Sequence, residues 1–357
     1  MPIRDLIQGP IRWLEGSAPK NDRVLSTRIR LARNVAGVRF VGKALPGELE
    51  GLRERAFESA GQVSSFRGAA KVRMEELPLL DRQFLLERHL VSHDLTGEAQ
   101  ARGLVLDPEE KLSLLVNEED HLRIQALYPG FQLEEAFERA RIADQELESK
   151  LQYAIHPELG YLTACPTNVG TGMRASVLVH LPGLVLSQRI KKILTGIQQV
   201  GLTVRGFYGE GSEVVGNFFQ ISNQVTLGES EEETLGKLEQ AIGQLLEWEN
   251  RSQEGLLRDA GLQVEDKILR ALGTLKYSRL LGSQELIGLL SAVRFGHTLG
   301  MRNVPSIAVL NDLLLKGQPA HLQRIAGREM SSEERNAFRA ARVQKALGVE
   351  DVPSLQG

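Results

Sequence analysis

The chain of 357 residues is 42% hydrophobic, 25% charged and 5% aromatic, which suits a soluble globular protein of about two domains and excludes a fibrous or intrinsically disordered one. With 43 basic residues against 46 acidic ones the net charge is -3, so there is no overall basic field to draw it onto nucleic acid. The basic residues divide into 31 Arg and 12 Lys, a bias toward the planar group that grips phosphate or carboxylate bidentately.

The single cysteine, Cys165, excludes an intramolecular disulfide and a multi-cysteine zinc site and fits a reducing compartment. Arg4, Asp5, Arg12, Glu15 and Lys20 interrupt the first twenty residues, leaving no signal-peptide core, and no window approaches a membrane span. A cytoplasmic location is therefore expected, and the Asn250-Arg251-Ser252 sequon is idle there.

In chain order, residues 24–31 alternate, setting Ser26, Arg28 and Arg30 on one side and Leu25, Thr27, Ile29 and Leu31 on the other. Residues 77–93 read as a helix on which His89 and His93 stand four apart; without a third ligand no metal site is expected. Residues 121–127 alternate with His121, Arg123 and Gln125 opposite Leu122, Ile124 and Ala126, just after the acidic run Asn117-Glu118-Glu119-Asp120. Helices are expected over 133–153 and 184–200. Between them, residues 173–180 form a third alternating run with Arg174, Ser176 and His180 on one face. Ordinary solvated sheet faces are the alternative reading of each run, but three cationic faces favour a shared purpose.

The segment Cys165-Pro166-Thr167-Asn168-Val169-Gly170-Thr171-Gly172-Met173-Arg174 has glycines that permit close backbone approach to a ligand, and Arg205-Gly206-Phe207-Tyr208-Gly209-Glu210-Gly211 suits a mobile lid. Residues 229–253 read as an amphipathic helix closing a first domain of residues 1–254, followed by an all-α remainder, 255–357, with Ser283 and Ser331 as N-caps and Glu334 completing a capping box. No P-loop, protein-kinase, H-E-x-x-H or strand-linked G-x-G-x-x-G signature is present.

Taken together, Ser26-Thr27-Arg28-Ile29-Arg30, the 117–123 segment, the 165–174 loop and the 205–210 segment resemble, in order and spacing, the signatures of the phosphagen (guanidino) kinases, such as arginine kinase and creatine kinase, over roughly the first 254 residues. Ser26 stands almost at the start, without the helical small-substrate cap those enzymes carry ahead of it, and about a hundred residues follow the shared core. Both features, with the wording of the 165–172 and 208–213 segments, resemble the bacterial protein-arginine kinases within that family.

The resemblance implies an α+β fold: a catalytic domain with an antiparallel sheet flanked by helices, then an all-α domain for regulation and dimerisation. It implies a kinase that moves the γ-phosphate of ATP, with Mg²⁺ held mainly by phosphates and water, onto the guanidinium of arginine in proteins. Arg28, Arg30, Arg123, Arg174 and Arg205 resemble the nucleotide-phosphate clamp. Around them the Ser26-to-Arg30, Arg174-Ala175-Ser176-Val177-Leu178 and Arg205-Gly206-Phe207-Tyr208-Gly209 stretches match nucleotide-binding segments, and His89 the adenine-side histidine. Glu119 and Glu210 match the two substrate-binding carboxylates, with Glu119 the expected base. Cys165 is expected beside the guanidinium as a thiolate that orients it. Arg335-Asn336-Ala337-Phe338-Arg339-Ala340 resembles a phosphoarginine-binding motif with Asn336 in place of an acid; a solvated helix face is the equal alternative. By resemblance the partners are the stress repressor CtsR, the ClpC-ClpP protease and the activator McsA. A kinase of free small guanidines and a phosphoarginine-binding adaptor remain the alternatives.

Overall fold

The computed structural model describes residues 6–7, 9–97, 100–206 and 215–349. Phe207, Tyr208, Gly209 and Glu210 lie outside the described residues, so the expected lid carboxylate is not placed.

Ten strands are described: β1 Val24–Arg33, β2 Ala70–Arg73, β3 Gly103–Leu106, β4 Leu112–Val116, β5 Leu122–Pro129, β6 Ile155–His156, β7 Gly160–Tyr161, β8 Met173–His180, β9 Leu202–Arg205 and β10 Phe218–Asn223. Eight of them form one antiparallel sheet in the order β2-β3-β4-β5-β1-β8-β10-β9, while β6 and β7 make a small hairpin. The helices are α1 Pro46–Gln62, α2 Leu79–Glu87, α3 His93–Thr96, α4 Leu133–Glu148, α5 Pro182–Leu186, α6 Ile190–Gln199, α7 Glu231–Tyr277, α8 Ser283–Thr298, α9 Ile307–Lys316, α10 Pro319–Ala326 and α11 Ser332–Ala346.

Strand alternation decides what each sheet face does. One face carries Ile29 and Leu31 of β1, Ile124 and Ala126 of β5, Ala175 and Val177 of β8 and Ile221 of β10, all essentially inaccessible to water. They pack with Ala136, Ala140 and Leu147 of α4 and with Leu238, Ile242 and Leu245 of α7 in one core. Each large apolar side chain buried this way contributes ~1.5–3 kcal/mol, so a charge at Val177 would undo the layer. The opposite face is free to carry polar groups.

A second core joins the C-terminal helices to this sheet. Leu272, Leu275, Leu286, Leu290 and Leu314 pack with Trp13, Leu127, Leu178 and Phe218. The arginine-bearing face is therefore roofed at one end by helices.

Several expectations need correction. The helix expected over 77–93 stops at Glu87, because His89 takes φ +60 in a turn, and a separate short helix begins at His93; the two histidines do not share a helix face. The helix expected over 184–200 splits into α5 and α6 at Gln188, which also has φ +60. That expected over 133–153 ends at Glu148. The helix expected to stop near 253 runs on through 254 and 255 to Tyr277, with a kink at Ala260. Gly282, not Ser283, is the N-cap of α8, whereas Ser331 and Glu334 do form the capping box of α11, Ser331 Oγ accepting from Glu334 N at 3.3 Å.

Candidate active site

Strand register places all five expected arginines on one face. Arg28 and Arg30 are two apart on β1; Arg174 of β8 lies opposite Arg30, and Arg123 of β5 opposite Ala32. Arg205 of β9 lies opposite Gln220, which lies opposite Leu178, and Leu178 is on the Arg174 side of β8. Arg30, Arg123, Arg174 and Arg205 line a cavity of about 250 Å³ together with Glu119, Cys165, Asp94, Thr167 and Asn168.

Crowding like charges on a half-buried surface disfavours the charged form. Arg28 is lowered to about 10, first by burial and then by Arg174, Arg123 and Arg205. Arg30 is lowered well below its ordinary value by burial and then by Arg28, Arg123 and Arg174. Its Nε is buried and has no hydrogen-bond partner among the described residues. The opposing charge is Glu118, buried at 3% exposure and paired to Arg123 through Nη1, which raises both β1 arginines slightly. One buried carboxylate does not balance this cluster; a polyanion would.

Glu119 is the exposed neighbour of Glu118 in the turn before β5, its carboxylate 3.4 Å from Arg123 Nη2. Burial raises its pKa; Arg123 pulls it down, and Asp120, Glu118 and Asp94 push it up. Asp120 is fully buried, and its Oδ1 accepts from Asn34 Nδ2 and from Ala164 N, both at 2.6 Å. It thereby fixes the loop ahead of Cys165, whose Sγ lies 2.9 Å from Thr167 Oγ1. Arg33 holds the far end of that loop, donating to Thr171 O at 2.9 Å while paired with Asp144 at 2.7 Å.

The glycines of this loop also meet the protein's own backbone, and Gly172 lines the cavity. A methyl at Gly170 would lie 2.1 Å from Thr226 O, and one at Gly172 2.6 Å from Ala32 O, with both residues at positive φ. Both positions thus leave no room for a side chain beside the neighbouring backbone.

His89 borders a small recess of about 10 Å³ with Ser26, Arg28, Ser176, Leu178 and Gln220. It stacks edge-on against Trp13 at 4.8 Å, and burial, then Arg28, lowers it to about 3, so it is neutral at physiological pH. Other expected residues fall elsewhere. Thr27, Ile29, Ala175 and Val177 face the core, Thr27 Oγ1 donating to Gly130 O at 2.7 Å. Gly206 directly follows β9. His180 does not join the cationic face: buried under α8, 2.8 Å from Ser291 Oγ, it is held neutral by burial.

In α11, Arg339 is buried and donates to Gly317 O at 2.7 Å, Leu281 O at 2.6 Å and Asn336 Oδ1 at 2.7 Å, while Arg335 donates to Met330 O at 2.6 Å. These bonds use Arg339 Nε and Nη1 and fix the guanidinium against α9 and α11.

Glu118, Asp120, Asp94 and Arg33 were not singled out as site residues by sequence reasoning. The acidic run and the extension of β1 to Arg33 were the available signals.

Residues 52–252 match the ATP:guanido phosphotransferase C-terminal catalytic domain, and residues 261–356 match the protein-arginine kinase McsB C-terminal domain. A protein-arginine kinase of Symbiobacterium thermophilum is 45% identical over 94% of this chain and 96% of its own. One from Halothermothrix orenii is 41% identical over 98% of this chain and all of its own. Among solved structures, a lombricine kinase superposes with a TM-score of 0.61 at 26% identity over 69% of this chain and 72% of that one. The chain belongs to the ATP:guanido phosphotransferase family and, within it, to the protein-arginine kinases.

Proposed function

We propose that this cavity transfers the γ-phosphate of ATP to arginine side chains of proteins. The observation that carries the reading is the row of five arginines on one sheet face, four of which line one cavity with Glu119 and Cys165. Phosphoryl transfer asks chiefly for alignment and charge neutralisation, and arginine forks supply both. The phosphate chain runs across the arginine row, with the base toward His89. The recess there is too small for a purine as it stands, so its side chains must part to admit one.

Mg²⁺ would be carried chiefly by the nucleotide phosphates and water, with Asp94 and Glu119 the carboxylates lining the cavity beside it. When bound, it supplies further neutralisation of the transferring phosphoryl group.

The acceptor guanidinium has a pKa above about 12 and delocalised lone pairs, so it needs orientation and a base. Glu119 accepts a proton from the attacking nitrogen as the N–P bond forms and the bond to the ADP oxygen breaks. Cys165 orients the same guanidinium through its Sγ. Glu210 supplies the second carboxylate, and Asp94 adds negative charge at the cavity wall. Residues 1–254 act as the catalytic unit and 255–357 as a regulatory and dimerising one, with Arg335, Asn336 and Arg339 as a phosphoarginine contact. A cytoplasmic role in protein quality control follows, with CtsR, ClpC-ClpP and McsA as partners.

Incubation with Mg-ATP and an arginine-rich protein tests the reading. An acid-labile phosphoryl group on arginine is the expected product, and its absence in the presence of McsA contradicts it.

A further inference from the structure

We infer a second binding site, in the helical layer on the opposite side of the sheet from the arginine face, that takes a short acidic segment of a partner protein carrying one bulky apolar side chain. The site is a groove of about 350 Å³ between α5–α6 and α7, lined by Leu184, Ile193, Trp248, Arg189, Lys192 and Arg251, with Ser252 and Gly196 at its walls. Its floor is apolar. Leu184, Ile193 and Trp248 belong to the sheet core or pack against it, so the floor is rigid.

Its rim is cationic in a chain whose net charge is -3, so the charge is a local feature. Arg189 and Lys192 are exposed and form no ion pair among the described residues, and Arg251 has only a loose contact with Glu247 at 3.9 Å. Ser252 is 3% exposed, yet its hydroxyl has no hydrogen-bond partner among the described residues.

The spacing of these groups identifies the occupant. The cations stand on the rim and not on the floor, so the recognised negative charge sits one or two positions along a chain from the apolar group that fills the groove. A peptide with Leu or Phe beside Asp or Glu has that arrangement; a compact ion does not. The occupant would press on α6, which leads directly into β9 and Arg205.

The inference does not depend on the chemistry of the arginine cavity, and its test is separate. An array of acetylated octapeptides of randomised sequence is probed with the full chain, and the best binder is titrated by tryptophan fluorescence. Trp13 is fully buried, which leaves Trp248, the other of the two tryptophans, to report. Two variants follow: Arg189→Glu with Lys192→Glu, and Gly196→Leu, which puts a side chain on the groove wall where a Cβ meets nothing within 4 Å. The expected result is selection of Asp or Glu next to a large apolar residue, with affinity at least tenfold weaker in both variants while their melting temperatures and response to ATP stay unchanged. No acidic-apolar preference on the array, or equal affinity in either variant, overturns the inference.

Discussion

Replacing Arg28 with Gln should make the protein more stable without nucleotide and weaken its hold on ATP at the same time. The Arg28 guanidinium is lowered to about 10 from its ordinary value, roughly 2–3 pH units higher, because burial and then Arg174, Arg123 and Arg205 penalise its charge. At ~1.4 kcal/mol per pH unit, that gap corresponds to ~3 kcal/mol held against the folded state. Arg28 is partly exposed, and solvent screening reduces the recoverable part to ~1–2 kcal/mol. Glutamine keeps polar contact and removes the charge, so the melting temperature should rise by roughly 2–6 °C. A cation with a depressed pKa costs a constant amount below that pKa and is relieved only as pH climbs through it, so the comparison holds at any pH from 6 to about 9. Loss of one charge-assisted fork costs ATP ~1.5–3 kcal/mol, or roughly a 10–150-fold rise in Kd. Scanning fluorimetry with and without Mg-ATP, plus calorimetric titration, reads both quantities. A variant that melts lower than wild type, or that binds ATP equally well, refutes the charge-crowding argument.

The other predictions concern the acceptor side and the tail. Glu119→Gln should lower transfer by on the order of 10²–10⁴-fold while the ATP-induced thermal shift survives; loss of that shift would remove Glu119 from the role of base. Since Asp94 helps to raise the Glu119 pKa, and Glu119 must be ionised to act, Asp94→Asn should move the acid limb of kcat/KM to lower pH, and an unmoved limb contradicts the coupling. Cys165→Ala should cut kcat on the order of 10–10³-fold and leave the KM for ATP alone, as steady-state kinetics would report. Arg339→Ala strands the buried Gly317 and Leu281 carbonyls and should cost ~2–4 kcal/mol by denaturant titration. Phosphoarginine titrated into wild type and Arg335→Ala then tests the tail contact, where equal heats reject it.

The period-two pattern of residues 24–31, 121–127 and 173–180 was enough to place Arg28, Arg30, Arg123 and Arg174 on strand faces, because alternation is local. It could not show that β1 lies between β5 and β8, which is what merges three separate faces into one; register is a long-range property. His180 obeys the same alternation, yet α8 covers it, since periodicity says which way a side chain points and not what sits above it. The acidic run was visible, but not its division of labour: Glu118 buried against Arg123, Glu119 exposed, Asp120 anchoring the Cys165 loop. Asp94 was missed because the segment before it reads as one helix through His93, whereas the chain breaks at His89, a non-glycine residue at positive φ with no glycine or proline to announce it. The loop glycines were recognised as enabling close approach, but their packing against Thr226 and Ala32 depends on contacts remote in sequence.

Transfer from Mg-ATP to an arginine-rich protein and, in parallel, to free arginine, read by mass spectrometry with acid lability as the mark of a P–N bond, tests the central claim most directly. The account predicts phosphorylation of protein arginine and none of the free amino acid. Transfer to free arginine alone would contradict it and identify a small-guanidine kinase, and transfer to neither, with McsA present, would leave phosphoarginine binding as the function of the fold.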